Sequence, residues 1–105
     1  MIVDRVTFRR EARNQLEDLY FYIAGEGSPA IATRYTDAPL TYCDGLRMFP
    51  MRGSAHDKIY PGLRLINWRR RTTIAFLVST TEVTIVGVYQ GGQDFIAFLQ
   101  ISLRG

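Results

Sequence analysis

The first half of the chain carries apolar residues at the spacing of two amphipathic helices. Residues 3–8 alternate imperfectly and predict a short strand. One apolar helix face follows, at positions i, i+4, i+7, i+8 and i+11, formed by Ala12, Leu16, Leu19, Tyr20 and Ile23. A second face is formed by Ile31, Tyr35, Ala38, Tyr42 and Phe49. Because only a few residues separate the two patterns, we expect an antiparallel helical hairpin.

Residues at the ends of the two patterns support the same boundaries. Glycines in residues 25–27 favour termination of the first helix, since glycine readily adopts the left-handed conformation of a helix C-terminus. Ser28 followed by Pro29 is typical of an N-cap and a first helical position. Pro39 lies inside the second pattern, where it removes the hydrogen bond to the Tyr35 carbonyl and predicts a kink or a broken turn.

The second half alternates between apolar and polar residues and predicts a sheet. The expected elements are strands over residues 63–68, 72–79 and 83–89, then a final helical turn in the apolar tail, residues 95–99. Helices grouped before consecutive strands are typical of an α+β fold. We therefore predict a short N-terminal strand and an antiparallel helical hairpin, packed on one face of a mainly antiparallel sheet of about four strands.

Composition indicates one small globular domain, residues 1–105. The chain is 47% apolar and 22% charged, which suits a single core, and no linker or internal repeat divides it. Cys43 is the only cysteine, so the sequence predicts no disulfide and neither a metal site nor a cofactor. Because residues 1–5 lack the apolar core of a signal peptide and no apolar run approaches ~18 residues, we expect a cytoplasmic protein without a membrane segment.

Positive charge is concentrated in one part of the sequence. Residues 47–71 contain seven basic side chains and one acid, Asp57, whereas the whole chain carries only +3. Such a local field attracts an acidic partner or a polyanion. The alternative interpretation is a set of solvated strand ends and loops. We expect Arg64, Trp68 and residues 69–71 on the sheet face opposite the hairpin, and Trp and Arg are typical of protein interfaces.

Several short motifs occur in an order that resembles the RelE/ParE family of bacterial toxins, in particular its ParE branch. They are Ala12-x-x-x-Leu16-x-x-Leu19-x-x-Tyr22-Ile23-Ala24, Leu46-x-x-Phe49-Pro50-x-x-Gly53, Pro61-Gly62-Leu63-Arg64, and Val83-x-Ile85-Val86-x-Val88 leading into Gly91-Gly92-Gln93-Asp94. Each motif is weak alone, but together they span nearly the whole chain. The resemblance implies a toxin of a type II toxin–antitoxin (plasmid stabilisation) system. Its ParD-like antitoxin would neutralise it by laying a partly disordered segment across its surface.

Two activities compete within the family that this chain resembles. RelE-like members cleave mRNA in the ribosome, whereas the studied ParE-like members poison DNA gyrase and are not nucleases. RNA cleavage needs a base, an acid and cations that converge on one phosphate. The resemblance places one RelE-type arginine at Arg64, but the arginine expected after the last strand is Gln93. The tail, residues 95–101, also lacks the expected tyrosine or histidine, so we predict no catalytic residues and no enzymatic activity.

The candidate contact residues cluster around the basic strand ends. The candidates for contact with the target are Arg64, Trp68, Arg69, Arg70, Arg71, Gln90, Gln93 and Asp94, and those for contact with the antitoxin are Tyr22, Arg64 and Trp68. ParE-like members often carry His-Gly and Arg-Asp where this chain has Gln90-Gly91 and Gln93-Asp94. For Arg64, an ion pair with Asp57 or Asp94 is the structural alternative.

The sequence therefore predicts a gyrase-inhibiting toxin that acts by protein contact, without sequence-specific binding to nucleic acid. Two other functions stay open at this point. One is a RelE-type, ribosome-dependent mRNA endoribonuclease. The other is an inactive binding module of the same fold that persists only in complex with its partner.

Overall fold

The helices and strands of the chain follow the predicted order. A computed structural model describes residues 1–91 and 95–104. Within these ranges the strands are β1 (Arg5–Phe8), β2 (Ser54–Ala55), β3 (Leu63–Trp68), β4 (Thr72–Val78) and β5 (Glu82–Gln90), and the helices are α1 (Arg10–Glu26), α2 (Pro29–Gly45) and α3 (Phe95–Arg104). The predicted α+β class, the N-terminal strand and the helical hairpin are confirmed.

The strands form one sheet in the order β1-β5-β4-β3-β2. β1 pairs with β5 in parallel, and the other neighbours are antiparallel. The sheet has one strand more than predicted because β2, two residues in a segment that looks like a loop, pairs with Arg64 and Leu65 of β3. β1 is shorter than β5, and beyond its end the Val88 N–H donates a 2.7 Å hydrogen bond to Gln15 Oε1 of α1.

A β-bulge in β5 changes which side chains share a face. Ala75 pairs with Gly87 and Phe76 pairs with Ile85, so Val86 is the extra residue. Strict alternation would place Val88 opposite Val83 and Ile85. Because of the bulge, Val88 instead joins them in the core beneath the hairpin, while Val86 belongs to the core on the other face.

The two faces of the sheet are covered by different helices. On one face, Ile74, Phe76, Val83 and Ile85 pack against hairpin residues that include Ala12, Leu16, Cys43 and Leu46. On the other face, Leu63, Ala75 and Val86 pack against Leu99 and Leu103 of α3. α3 has ten residues instead of the single turn predicted. None of the helices in the described ranges is long and apolar enough to cross a membrane.

The prediction that Arg64 and Trp68 lie opposite the hairpin is wrong. Arg64 is cross-strand to Phe76, and cross-strand partners share a face. The Trp68 ring contacts the ring of Tyr42 in α2. Alternation along β3 groups Arg64 with Trp68, but it does not specify which of the two faces the hairpin covers. The opposite face is the one against which α3 packs.

The buried stripe of α2 is shifted by one position from the apolar stripe predicted. Its buried residues are Ala32, Thr36, Pro39 and Cys43, whereas Ile31 and Tyr35 are 40% and 62% exposed. Thr36 is accommodated because its hydroxyl donates a 3.0 Å hydrogen bond to the Ala32 carbonyl. The helix begins as predicted, with Ser28 Oγ accepting from the Ile31 N–H. It remains helical through Pro39, so of the two alternatives predicted there, a kink or a broken turn, the broken turn is wrong.

Candidate functional site

A groove of about 390 Å³ separates the helical hairpin from the end of the sheet where β3 turns into β4. Five of the candidate contact residues predicted from the sequence line it. The lining residues are Leu19, Tyr22, Ile23, Tyr35, Pro39, Trp68, Arg69, Arg71, Thr72 and Gln90, and we call this surface the Trp68 groove. Arg70 belongs to the same turn as Arg69 and Arg71. Gln93 and Asp94 lie outside the described residues.

Trp68 is held between a tyrosine and an arginine. Its ring centroid lies 5.7 Å from that of Tyr42, and the Arg69 guanidinium carbon lies 4.6 Å above the indole. A guanidinium over the face of tryptophan is favourable because of the ring quadrupole. These two contacts hold the indole in place, and it presents an aromatic surface to the groove with a cation beside it.

The β3–β4 turn is strained at two arginines. Arg69 and Arg70 have φ angles of 53° and 68°, in the left-handed region. The Arg71 N–H donates a 2.7 Å hydrogen bond to the Arg69 carbonyl, and the Gly91 N–H donates to the Arg71 carbonyl at 2.8 Å. Left-handed backbone costs a non-glycine residue about 1–2 kcal/mol, and a turn of this kind normally uses glycine or asparagine. Strain that persists in spite of this cost is concentrated at functional sites.

The opposite wall of the groove carries aromatic rings and a proline. Tyr22 and Tyr35 are 68% and 62% exposed, although both are large amphipathic side chains. Pro39 also lines the groove, and since proline has no N–H, the Tyr35 carbonyl lacks its usual helical partner. Across the groove, Gln90 Oε1 accepts a 3.0 Å hydrogen bond from the Thr72 hydroxyl. The groove thus offers aromatic surface and two cations.

Arg64 lies outside this groove, and its guanidinium is bonded to backbone carbonyls. Its Nε donates to the Arg52 carbonyl at 2.8 Å, and its Nη2 donates to the carbonyls of Met51 and Gly53 at 2.9 and 3.1 Å. Asp57, the predicted ion-pair partner, instead accepts a 2.9 Å hydrogen bond from the Gly62 N–H. The Arg64 side chain therefore fixes the loop before β2. The sequence does not indicate these hydrogen bonds, because the three acceptors are backbone carbonyls, which every residue type carries.

Replacing Arg64 by lysine is expected to lower the free energy of unfolding by about 1–2 kcal/mol. The substitution keeps the charge but removes the planar fork that reaches three carbonyls. Urea denaturation of both proteins measures the difference. Arg13→Lys, an exposed change on α1, is the control and should leave the stability within about 0.5 kcal/mol. Equal stability of the Arg64→Lys and wild-type proteins would show that the three bonds contribute nothing.

Two potential nucleophiles, Cys43 and Ser54, are poorly placed for catalysis. Burial raises the pKa of the Cys43 thiol to about 12, with the nearby Asp44 carboxylate as a second cause, so the thiolate is not formed near neutral pH. Ser54 Oγ lies 3.0 Å from His56 Nε2, but Asp57, the next residue, is engaged with Gly62 and completes no triad. Within the described ranges no cluster of three His, Cys, Asp or Glu side chains could hold a metal ion.

Comparison with known proteins identifies the family. The sequence model of the family described as ParE toxin of type II toxin–antitoxin system, parDE, matches residues 6–95. A chain from a solved structure of the chromosomal ParDE toxin–antitoxin system from P. aeruginosa has the same fold, with a TM-score of 0.71 and 18% sequence identity; the match covers 85% of this chain and 97% of that chain. No curated protein matches this sequence. The chain therefore belongs to the ParE toxin family of type II toxin–antitoxin systems.

Proposed function

We propose that this toxin inhibits DNA gyrase by direct contact through the Trp68 groove, and that a ParD-like antitoxin holds it inactive. The observation that carries the proposal is the strained turn. Two arginines are kept at positive φ beside a half-buried tryptophan, where glycine would fold at lower cost. A stability cost retained at an exposed, charged turn supports a role in binding rather than in folding.

The chemistry of the groove supports an acidic and partly apolar contact segment on the target. Arg69 and Arg71 supply two guanidinium groups, which bind carboxylates in a bidentate manner. Trp68, Tyr22 and Tyr35 supply aromatic area at a low cost in side-chain entropy. Exposed arginine and tryptophan next to each other are the residue types that dominate the energetics of protein interfaces. Gyrase, as the target, would place the toxin's action in the cytoplasm.

The same groove explains inhibition by an antitoxin. An antitoxin segment that covers Tyr22 and Trp68 would exclude the target from the groove by simple competition. No covalent step is needed in either complex, and the toxin acts without catalysis of its own. This mechanism agrees with a buried, neutral Cys43 thiol and with the arrangement of Ser54 and His56.

The double substitution Arg69→Gly/Arg70→Gly is expected to reduce toxicity while leaving the fold intact. Glycine relieves the positive-φ strain, so the free energy of unfolding should stay constant or rise by up to about 2 kcal/mol. Loss of the Arg69 guanidinium from the groove, and of the neighbouring Arg70 charge, should raise the toxin concentration needed to inhibit gyrase supercoiling at least about tenfold. Growth after induced expression and supercoiling with purified gyrase measure the two effects.

Arg13→Ala, which removes an exposed arginine from α1, is the matched control and should inhibit gyrase like the wild-type protein. A folded double variant that arrests growth and inhibits gyrase at wild-type concentrations would contradict the proposed contact site. Arrest with immediate loss of translation and intact DNA would instead identify an mRNA endonuclease. No arrest by the soluble wild-type toxin would identify an inactive binding module.

A further inference from the structure

Three consecutive arginines form the turn between β3 and β4, and we call residues 69–71 the arginine turn. The turn lies beyond the last paired residues of the two strands, Trp68 and Thr72. All three arginines are exposed. They line a cleft of about 440 Å³, and within the described ranges no other side chain borders it. The cleft is therefore a cationic surface, in contrast to the Trp68 groove with its aromatic wall.

The positive charge of the arginine turn is not balanced by the strands around it. The sequence contains no acidic residue between Asp57 and Glu82, so neither β3 nor β4 carries a carboxylate. In the part of the chain that the structure describes, the one ion pair joins Arg5 to Glu82 and involves none of the three arginines. Like charges side by side repel one another, and an anion that binds among them relieves this repulsion.

The backbone and the neighbours of the turn leave the guanidiniums as its main binding groups. The carbonyl oxygens of Arg69 and Arg71 would repel an anion, but they accept hydrogen bonds from the N–H groups of Arg71 and Gly91 at 2.7 and 2.8 Å. On the adjoining strands, the Thr73 hydroxyl donates a 3.2 Å hydrogen bond to Asn67 Oδ1. These flanking side chains are neutral and already bonded to each other.

The amount of charge favours a chain of phosphates over a single carboxylate. Guanidinium groups bind carboxylates and phosphates alike in a bidentate manner. One carboxylate neutralises one of three arginines, whereas each nucleotide of a nucleic acid strand supplies a further negative charge. An acidic protein segment would also bring apolar side chains, and the described lining of the cleft has no apolar residue to receive them. A phosphate backbone needs only cations.

The surroundings of the turn favour a duplex over a single strand. Proteins that bind single-stranded nucleic acid stack the bases on aromatic side chains. The aromatic residue next to the turn is Trp68, and the Arg69 guanidinium carbon already lies 4.6 Å above its ring. The ring of Tyr42 is a second neighbour, with 5.7 Å between the centroids. The turn therefore offers cations to a backbone rather than a stacking surface to bases.

We propose that the arginine turn binds consecutive phosphates of duplex DNA, without regard to base sequence. That this DNA is the segment engaged by gyrase rests on the proposed function. Arg70 distinguishes the two sites, because it lines the cleft but not the Trp68 groove, whereas Arg69 and Arg71 line both. The toxin then contacts its target protein through the groove and the DNA of that target through the adjoining turn. Two linked contacts raise the effective concentration of each.

The test measures binding of the full-length toxin to a short labelled DNA duplex of mixed sequence by fluorescence anisotropy, without gyrase. The Kd is expected at about 10⁻⁶–10⁻⁴ M at physiological salt, the range of non-specific binding. Three phosphate contacts predict a slope of about −2.7 for log K against log salt concentration. Arg70→Asn should weaken binding about fivefold to tenfold and change the slope to about −1.8, since one contact is lost. Asparagine tolerates left-handed backbone, so this variant keeps the turn.

Two further variants separate a site from a general charge effect. Arg70→Lys keeps the charge and should keep the slope of the wild-type protein. Arg13→Gln removes the same charge from an exposed position on α1 and is the matched control. Because salt screens exposed charges beyond about 10 Å, this control should change the affinity less than about twofold.

Equal losses of affinity for Arg70→Asn and Arg13→Gln would overturn the proposal, because binding would then reflect the net charge of the chain. Tighter binding to a single strand or to an RNA duplex of the same length would overturn the assignment to duplex DNA. Poly-glutamate that competes as well as DNA at equal charge would assign the turn to an acidic protein segment instead. A toxin that binds DNA as expected but leaves gyrase supercoiling unaffected would contradict the proposed function and not this proposal.

Discussion

Replacing Phe76 by alanine is expected to lower the free energy of unfolding by about 3–5 kcal/mol. Phe76 is fully buried in the middle of β4, and its ring lies in the core between the sheet and the helical hairpin. Removal of the ring loses its burial and leaves a cavity that a sheet paired on both sides cannot close. Since small domains have a total stability of about 5–15 kcal/mol, the variant should be close to unfolding.

Urea denaturation followed by circular dichroism measures this loss. Phe21→Ala is the matched control, because the same substitution at a 69% exposed side chain should cost less than about 1 kcal/mol. A loss below about 1 kcal/mol for Phe76→Ala would mean that the hairpin does not pack on this face as described.

The substitution Gly53→Ala is expected to cost at least about 2 kcal/mol. Gly53 has a φ angle of 75°, and a Cβ atom at this position would collide with the Leu65 carbonyl oxygen. The backbone of β3 cannot yield without breaking its pairs with β2 and β4. We expect the loop before β2 to move and the hydrogen bonds that Arg64 donates to the Met51 and Gly53 carbonyls to weaken. The Trp68 groove, which contains neither residue, should stay intact.

Gly25→Ala provides the control for this prediction. Gly25 lies in α1, and no atom is near the position of its missing Cβ. The same change should there stabilise the protein by up to about 1 kcal/mol, because alanine favours the helix. Thermal melting of both variants distinguishes a collision at one glycine from a general effect of the added methyl group. Equal melting temperatures would contradict the collision at Gly53.

The helices and the main strands were predictable because their signals are local. The Ser28 N-cap and the alternation of β3 and β4 depend on neighbouring residues only, and they appear in the structure where expected. The family also followed from motif order, which survives when individual residues change. β2 was missed because two residues are too few to show a period.

The orientation of the faces could not be predicted, for reasons of packing. Whether Arg64 and Trp68 lie on the same side as the hairpin depends on which face of the sheet the hairpin covers. The alternation of apolar and polar residues does not determine that face. Val88 changes face because a bulge inserts Val86, and neither residue type indicates a bulge. The stripe of α2 was misplaced because Thr36 and Pro39 do not count as apolar residues, yet both are buried.

Some residues of the candidate site were predictable from the sequence, whereas other features of the site were not. Tyr22, Trp68, Arg69, Arg71 and Gln90 were selected by chemistry and resemblance, and the fold brings them together at the Trp68 groove. The positive φ angles at the turn could not be predicted, because arginine is not a residue type that indicates left-handed backbone. The exposed apolar surface formed by residues 1–2 and 48–52 was not predicted, because the proximity of these two segments depends on a hydrogen bond between Val3 and Arg47.

The position of β5 in the sheet limits when the Trp68 groove can form during synthesis. β5 pairs with both β1 and β4, and it follows both of them in the chain. A ribosome that adds ~5–20 residues per second needs on the order of 10 s to reach Gln90. During most of that time β1 has no partner strand and the hairpin has no complete sheet beneath it. The Trp68 groove, which includes Gln90, therefore assembles only after β5 has been synthesised. A nascent chain that has not yet reached β5 thus cannot present this surface.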